Sequence, residues 1–154
     1  MKLQTAWWVA CALSVLAAPA CGGDDDDDGA GEGEGEFDAR VDILVDGAEG
    51  VLDGVLSVRG YFLSAGVTSC DGLMMGRVQP SAFPNRREPV LEVRAPPASL
   101  HITAEIQSGS SLVFVQCYPD ETGEAEPVAT GCDENVYAAP GETASTRITV
   151  RLNP

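Results

Sequence analysis

This 154-residue sequence is short of positive charge, of histidine and of aromatic rings, and each shortage closes a class of function. Lysine occurs once, at Lys2, and eight arginines face twenty-four acids. Phosphate backbones are held by clustered Lys and Arg that displace counterions, so nucleic acid is excluded as a partner. Histidine also occurs once, at His101. A catalytic zinc wants several His or carboxylate ligands, and a lone imidazole has no partner for acid–base or nucleophilic work. No G-x-S-x-G, C-x-x-C, H-x-x-x-H or glycine-rich phosphate loop occurs. The expectation is a protein with no catalytic residues, no metal and no cofactor, and so not an enzyme.

A membrane-crossing helix is missing as well. Residues 6–20 carry no charge over fifteen positions, short of the ~20 that a hydrocarbon core requires. Lys2 ahead of that run, and the small residues that close it, fit a removable secretory signal over residues 1–20. Pro19 stops any helix there. Two cleavages compete at this point. Ala18-Pro19-Ala20 is a small-x-small site for ordinary signal peptidase, which releases a soluble chain.

The stretch "LAAPACGG" (residues 16–23) also resembles the lipobox of bacterial lipoproteins, where a diacylglyceryl group is attached to the cysteine before cleavage; here that residue is Cys21. It departs from the usual pattern at Ala18, where Leu is preferred, and at Pro19. The resemblance implies a lipid anchor in the cell envelope. Gly22 comes after the cysteine in place of the aspartate of an inner-membrane retention signal, which makes the outer membrane the expected address.

The segment after Cys21 favours the lipid. Residues 22–36 contain only Gly, Ala, Asp and Glu. Glycine leaves the backbone free and the acids repel one another, so the segment reads as a hydrated tether. The unbroken Asp24–Asp28 run lacks the spaced ligands and turn glycine of a calcium loop. Beyond the tether, residues 37–154 hold eight arginines and sixteen acids, a formal charge near −8.

No stretch past residue 36 keeps a helical period, while alternation recurs, as in half-buried strands. In "RVDILVDG", Val41, Ile43 and Val45 share a face. In "VLSVRGYFL", Leu56, Val58 and Phe62 oppose Ser57, Arg59 and Tyr61. In "PVLEVRAP", Leu91, Val93 and Ala95 are placed inward. "SLHITAEIQ" sets Leu100, Ile102, Ala104 and Ile106 against His101, Thr103, Glu105 and Gln107. A short "SGS" turn then suggests a β-hairpin into "SLVFVQCY", which is apolar on both faces and so central. "STRITVRL" buries Thr146, Ile148, Val150 and Leu152. With weaker candidates at 73–79 and 134–138, the count is seven or eight strands and no helices. The expected class is all-β: an antiparallel two-sheet sandwich, immunoglobulin-like or similar, with a barrel or a transthyretin-like sandwich as alternatives.

Cys11 leaves with the signal. With Cys21 acylated, Cys70, Cys117 and Cys132 remain, an odd number for an oxidising compartment. Closing the acidic loop makes Cys117–Cys132 the favoured bridge, with Cys70 as the rival partner. Plain secretion leaves four cysteines and two bridges, the best argument against lipidation. Met74-Met75 suits Cu(I) only with ligands that are not nearby, and Arg86-Arg87 reads as exposed loop charge.

Three roles fit. A sandwich that binds or assembles with other envelope components comes first. Carbohydrate binding is second; it wants exposed rings, and the domain has only Phe37, Tyr61, Phe62, Phe83, Phe114, Tyr118 and Tyr137. An enzyme is third.

Overall fold

The structure, a computed structural model, describes residues 37–83, 87–94 and 100–154. The expected signal and tether, Cys21, the Asp24–Asp28 run, Arg86 and Ala95 lie outside those residues. The described residues form seven strands: β1 (Ala39–Gly47), β2 (Ser57–Ser64), β3 (Val90–Val93), β4 (Leu100–Ile106), β5 (Gly109–Tyr118), β6 (Ala129–Ala138) and β7 (Thr143–Leu152). A single α-helix among the described residues, α1 (Cys70–Met74), and a 3₁₀ turn at Pro80–Ala82 separate β2 from β3.

The all-β expectation holds, but the arrangement is not a plain antiparallel two-sheet sandwich. The strands form one mixed sheet in the order β3-β2-β5-β6-β7-β1-β4. β1 and β7 run parallel, with Val41 beside Ala144 and Val45 beside Ile148. β6 and β7 pair only at Ala129–Leu152 and Thr130–Arg151, and there the sheet folds over. β4 at one end comes back against β2 and β3 at the other, so the sheet is nearly closed into a barrel. Alternation reports which face of a strand is buried and nothing of its neighbour's direction, so the parallel pair left no mark in the pattern.

The fold-over brings two inner faces together. Val41, Ile43 and Val45 of β1, the Leu100–Ile106 apolar set of β4, and Ile148 and Val150 of β7 meet Val58, Phe62, Val113, Val115, Ala129 and Val136. Each such side chain contributes roughly 1.5–3 kcal/mol when fully buried. Gly131 marks the crossing of β6 over β7: a Cβ there would lie 2.7 Å from Ile148 Cγ2 and 3.0 Å from the Thr149 carbonyl oxygen. Only glycine fits so close an approach.

β5 is buried on both faces, as its sequence indicated. Val113, Val115 and Cys117 point into the main core, while Leu112 and Phe114 join Leu63 and Leu73 in a second cluster under α1. That helix replaces the weak strand expected at 73–79. Ser69 caps it, accepting the Gly72 N–H on Oγ at 3.2 Å, and Gly76 ends it with φ of 64°. The expected hairpin through 108–110 is also corrected. β4 pairs with β1 and β5 with β2 and β6, so the turn carries the chain from one layer to the other. Asp38 holds that turn, accepting from Ser108 N–H at 2.7 Å and from its hydroxyl at 2.9 Å.

Three smaller expectations shift with register. β3 pairs Gly60 with Val90 and Arg59 with Leu91, so Val90 packs on the core and Leu91 and Val93 face outward. Leu56 and Leu152 are exposed at strand ends. The segment expected at 134–138 lies inside β6.

Candidate functional site

The outer face of β4, β1 and β7 is a ladder of polar side chains whose rungs are set by register. Glu105 lies beside Arg40, Asp42 lies between Thr103 and Ser145, and Leu44 lies between His101 and Arg147. Thr103 Oγ1 donates to Asp42 Oδ1 at 2.8 Å. Ion pairs stand at either end, Arg40–Glu105 at 3.8 Å and Arg147–Asp46 at 3.9 Å, both well exposed. Between them is a shallow, open depression of about 320 Å³, lined by Asp42, Leu44, His101, Thr103, Ser145 and Thr146. Thr146 is anchored from the far side, where its hydroxyl donates to Asp133 Oδ2 of β6 at 2.7 Å. The lone histidine therefore shares the depression with hydroxyls, a carboxylate and a leucine.

The alternation of β4 identified His101, Thr103 and Glu105 as its outward residues. That β1 lies between β4 and β7, and so brings Asp42, His101 and Ser145 together, is a fact of pairing that one strand's sequence does not carry.

The outer face of β2, β5 and β6 is largely covered. Cys70, the first residue of α1, is bonded to Cys132 of β6, with Cα atoms 5.6 Å apart and a sequence separation of 62. Glu134 accepts the Cys70 backbone N–H. The favoured Cys117–Cys132 bridge is thus not the one formed. Cys132 pairs with Phe114 on the helix side, whereas Cys117 pairs with Ala129 and points into the core, where its thiol is free. Burial pushes that thiol up to about 12.

The acidic loop after β5 folds back on the same face. Arg59 lies over the Tyr118 ring at 5.3 Å and donates to the Thr122 carbonyl at 3.2 Å. Ser57 Oγ donates to the Asp120 carbonyl at 2.6 Å. Hydrogen bonds from Thr122 and from the Glu124 backbone hold the Asp120 carboxyl below its usual range. Burial pushes the Tyr118 phenol up.

Met74 packs into the second cluster and Met75 is exposed, so the pair does not converge on one point. Arg87 stacks on Phe37 at 4.6 Å and donates to the Glu105 carbonyl. No cluster of three or more His, Cys, Asp or Glu suited to a metal occurs among the described residues, and none of their helices is long and apolar enough to cross a membrane.

No family model matches the chain, and no curated protein matches it. Among solved structures, the T6SS lipoprotein TssJ1 from Pseudomonas aeruginosa is similar at 12% identity, over 75% of this chain and 97% of that one, with a TM-score of 0.35. A likeness this loose assigns neither role nor partner to this chain.

Proposed function

We propose that this chain is a lipid-anchored protein of the bacterial cell envelope whose β domain works by binding another envelope component and not by catalysis. Residues 1–20 are the removable signal, Cys21 carries the lipid, residues 22–36 are the tether, and residues 37–154 project from the outer membrane. Acyl chains that each bury many CH₂ groups at ~0.8 kcal/mol apiece hold such a domain firmly when two or more are present.

The cysteine arrangement is the observation that carries this reading. Cys70 and Cys132 are joined, and Cys117 is fully buried in the core. A second bridge, from Cys21 to Cys117, requires opening that core. The tidy two-bridge count that argued for plain secretion is lost, and with it the best argument against a lipid on Cys21. A thioether to lipid gives that cysteine a role.

The test is detergent-phase partitioning of the full chain expressed in a bacterium. The wild type is expected in the detergent phase, and Cys21→Ser in the aqueous phase or retained as precursor. Equal aqueous partitioning of both overturns the anchor.

A further inference from the structure

The geometry points to a neutral, polyhydroxylated ligand, a run of several sugar units in a glycan, lying along β1 in the depression between β4 and β7. This rests on the binding reading above and names the occupant of its site. At about 320 Å³ the depression sits at the small end of ligand sites, which run from ~300 to ~1,000 Å³, and it is open at the surface.

Charge selects against the alternatives. The domain as a whole is strongly acidic, and an anionic ligand is repelled. A cationic one is drawn to the acid-rich loops, 48–53 and 119–126, which hold Glu49, Asp53, Asp120, Glu121, Glu124 and Glu126. The β4–β1–β7 face differs from both. Two arginines are paired within the face, Arg40 with Glu105 and Arg147 with Asp46, which offsets part of its charge. It also presents hydrogen-bonding capacity: the Asp42 carboxylate, the Thr103 and Ser145 hydroxyls and the His101 ring, which together offer donors and acceptors to hydroxyl groups.

Shape adds the length of the ligand. Leu44 lies half-buried between His101 and Arg147, an apolar floor for the C–H face of a ring. Successive rungs are two residues apart along β1, about 7 Å, so a chain of sugars touches rung after rung where a single sugar touches one. No Phe, Tyr or Trp lines the depression among the described residues. Binding is therefore by hydrogen bonds in an open site, and its strength grows with chain length.

The experiment is isothermal titration of the full lipidated chain in detergent with three neutral hexasaccharides. One is a β-1,4 N-acetylglucosamine hexamer, which stands for a wall-type glycan; cellohexaose and maltohexaose stand for plain hexose polymers. Oligolysine and dextran sulfate serve as charged controls. At least one hexasaccharide is expected to bind, and more tightly than its disaccharide. Asp42→Asn and Ser145→Gln should each weaken it about tenfold, while Tyr137→Ser, at an exposed residue of β6, should leave it unchanged. Which hexamer binds tells the two glycan sources apart. Absence of any neutral binding at millimolar concentration overturns the inference, as does binding that Asp42→Asn and Ser145→Gln leave intact, or self-association of the chain through this face. None of those outcomes touches the lipid at Cys21, which partitioning tests separately.

Discussion

Cys117 and Cys132 lie on adjacent strands and point to opposite sides of the sheet that the strands share. One enters the barrel core and the other meets α1, so their nearness in sequence brings no nearness of sulfur. Cys70 reaches Cys132 because Ser69 starts a helical turn that crosses over β6. Peptide mapping of the exported protein should return Cys70 linked to Cys132, with Cys117 unpaired. Closing a 62-residue loop restricts the unfolded chain by about 4 kcal/mol, so Cys70→Ser should lose up to that much in denaturant unfolding. A map that joins Cys117 to Cys132 contradicts the register.

The buried thiol gives a second expectation. Cys117 is raised to about 12, so the neutral form is favoured in the folded state. Its contribution to stability is complete below the unfolded thiol's value near ~8.5 and is lost as pH rises toward the folded one. Native protein at about pH 8 should leave one thiol unlabelled by a maleimide, and denaturant should release it. Rapid labelling without denaturant places Cys117 at the surface.

Two glycines in the core should respond differently to the same methyl group. At Gly131 the added Cβ meets the Ile148 and Val150 side chains within 2.9 Å and a backbone oxygen at 3.0 Å, and the backbone cannot step aside. At Gly60 it meets only the tip of Ile102 inside 3.0 Å, which can rotate. Gly131→Ala should cost about 3 kcal/mol and Gly60→Ala about 1 kcal/mol or less in denaturant unfolding. Equal costs would sink the close β6–β7 crossing.

The Asp38–Ser108 contact makes part of the stability acid-sensitive. Bonds from the Ser108 backbone and hydroxyl hold the Asp38 carboxyl below its ordinary 3.8. A lowered carboxyl stabilises above the unfolded value and ceases to as pH falls through the folded one. Between about pH 5 and pH 2, wild type should lose more stability than Asp38→Asn. Parallel pH profiles contradict the contact.

The individual strands were legible because one-sided burial writes itself as alternation: Leu100, Ile102, Ala104 and Ile106 are all buried and their neighbours all exposed. β5 was legible as central because it is apolar on both faces. Pairing was not legible. The β1–β7 parallel contact, the layer-crossing turn at 108–110 and the reversed phase of the four-residue β3 depend on partners far away in sequence. The same limit explains the candidate site. His101 and Thr103 read as outward, but Asp42, one strand over, and Ser145, two strands over, come from about 60 and 40 residues away in sequence, and only the register joins them.

The central claim concerns one sulfur, and the intact mass of the mature protein from its native envelope tests it most directly. The expected mass is that of a chain beginning at Cys21, plus a diacylglyceryl group with or without an N-acyl chain, less two hydrogens for a single disulfide. A chain whose Cys21 is bare, or oxidised onto another cysteine, contradicts the account.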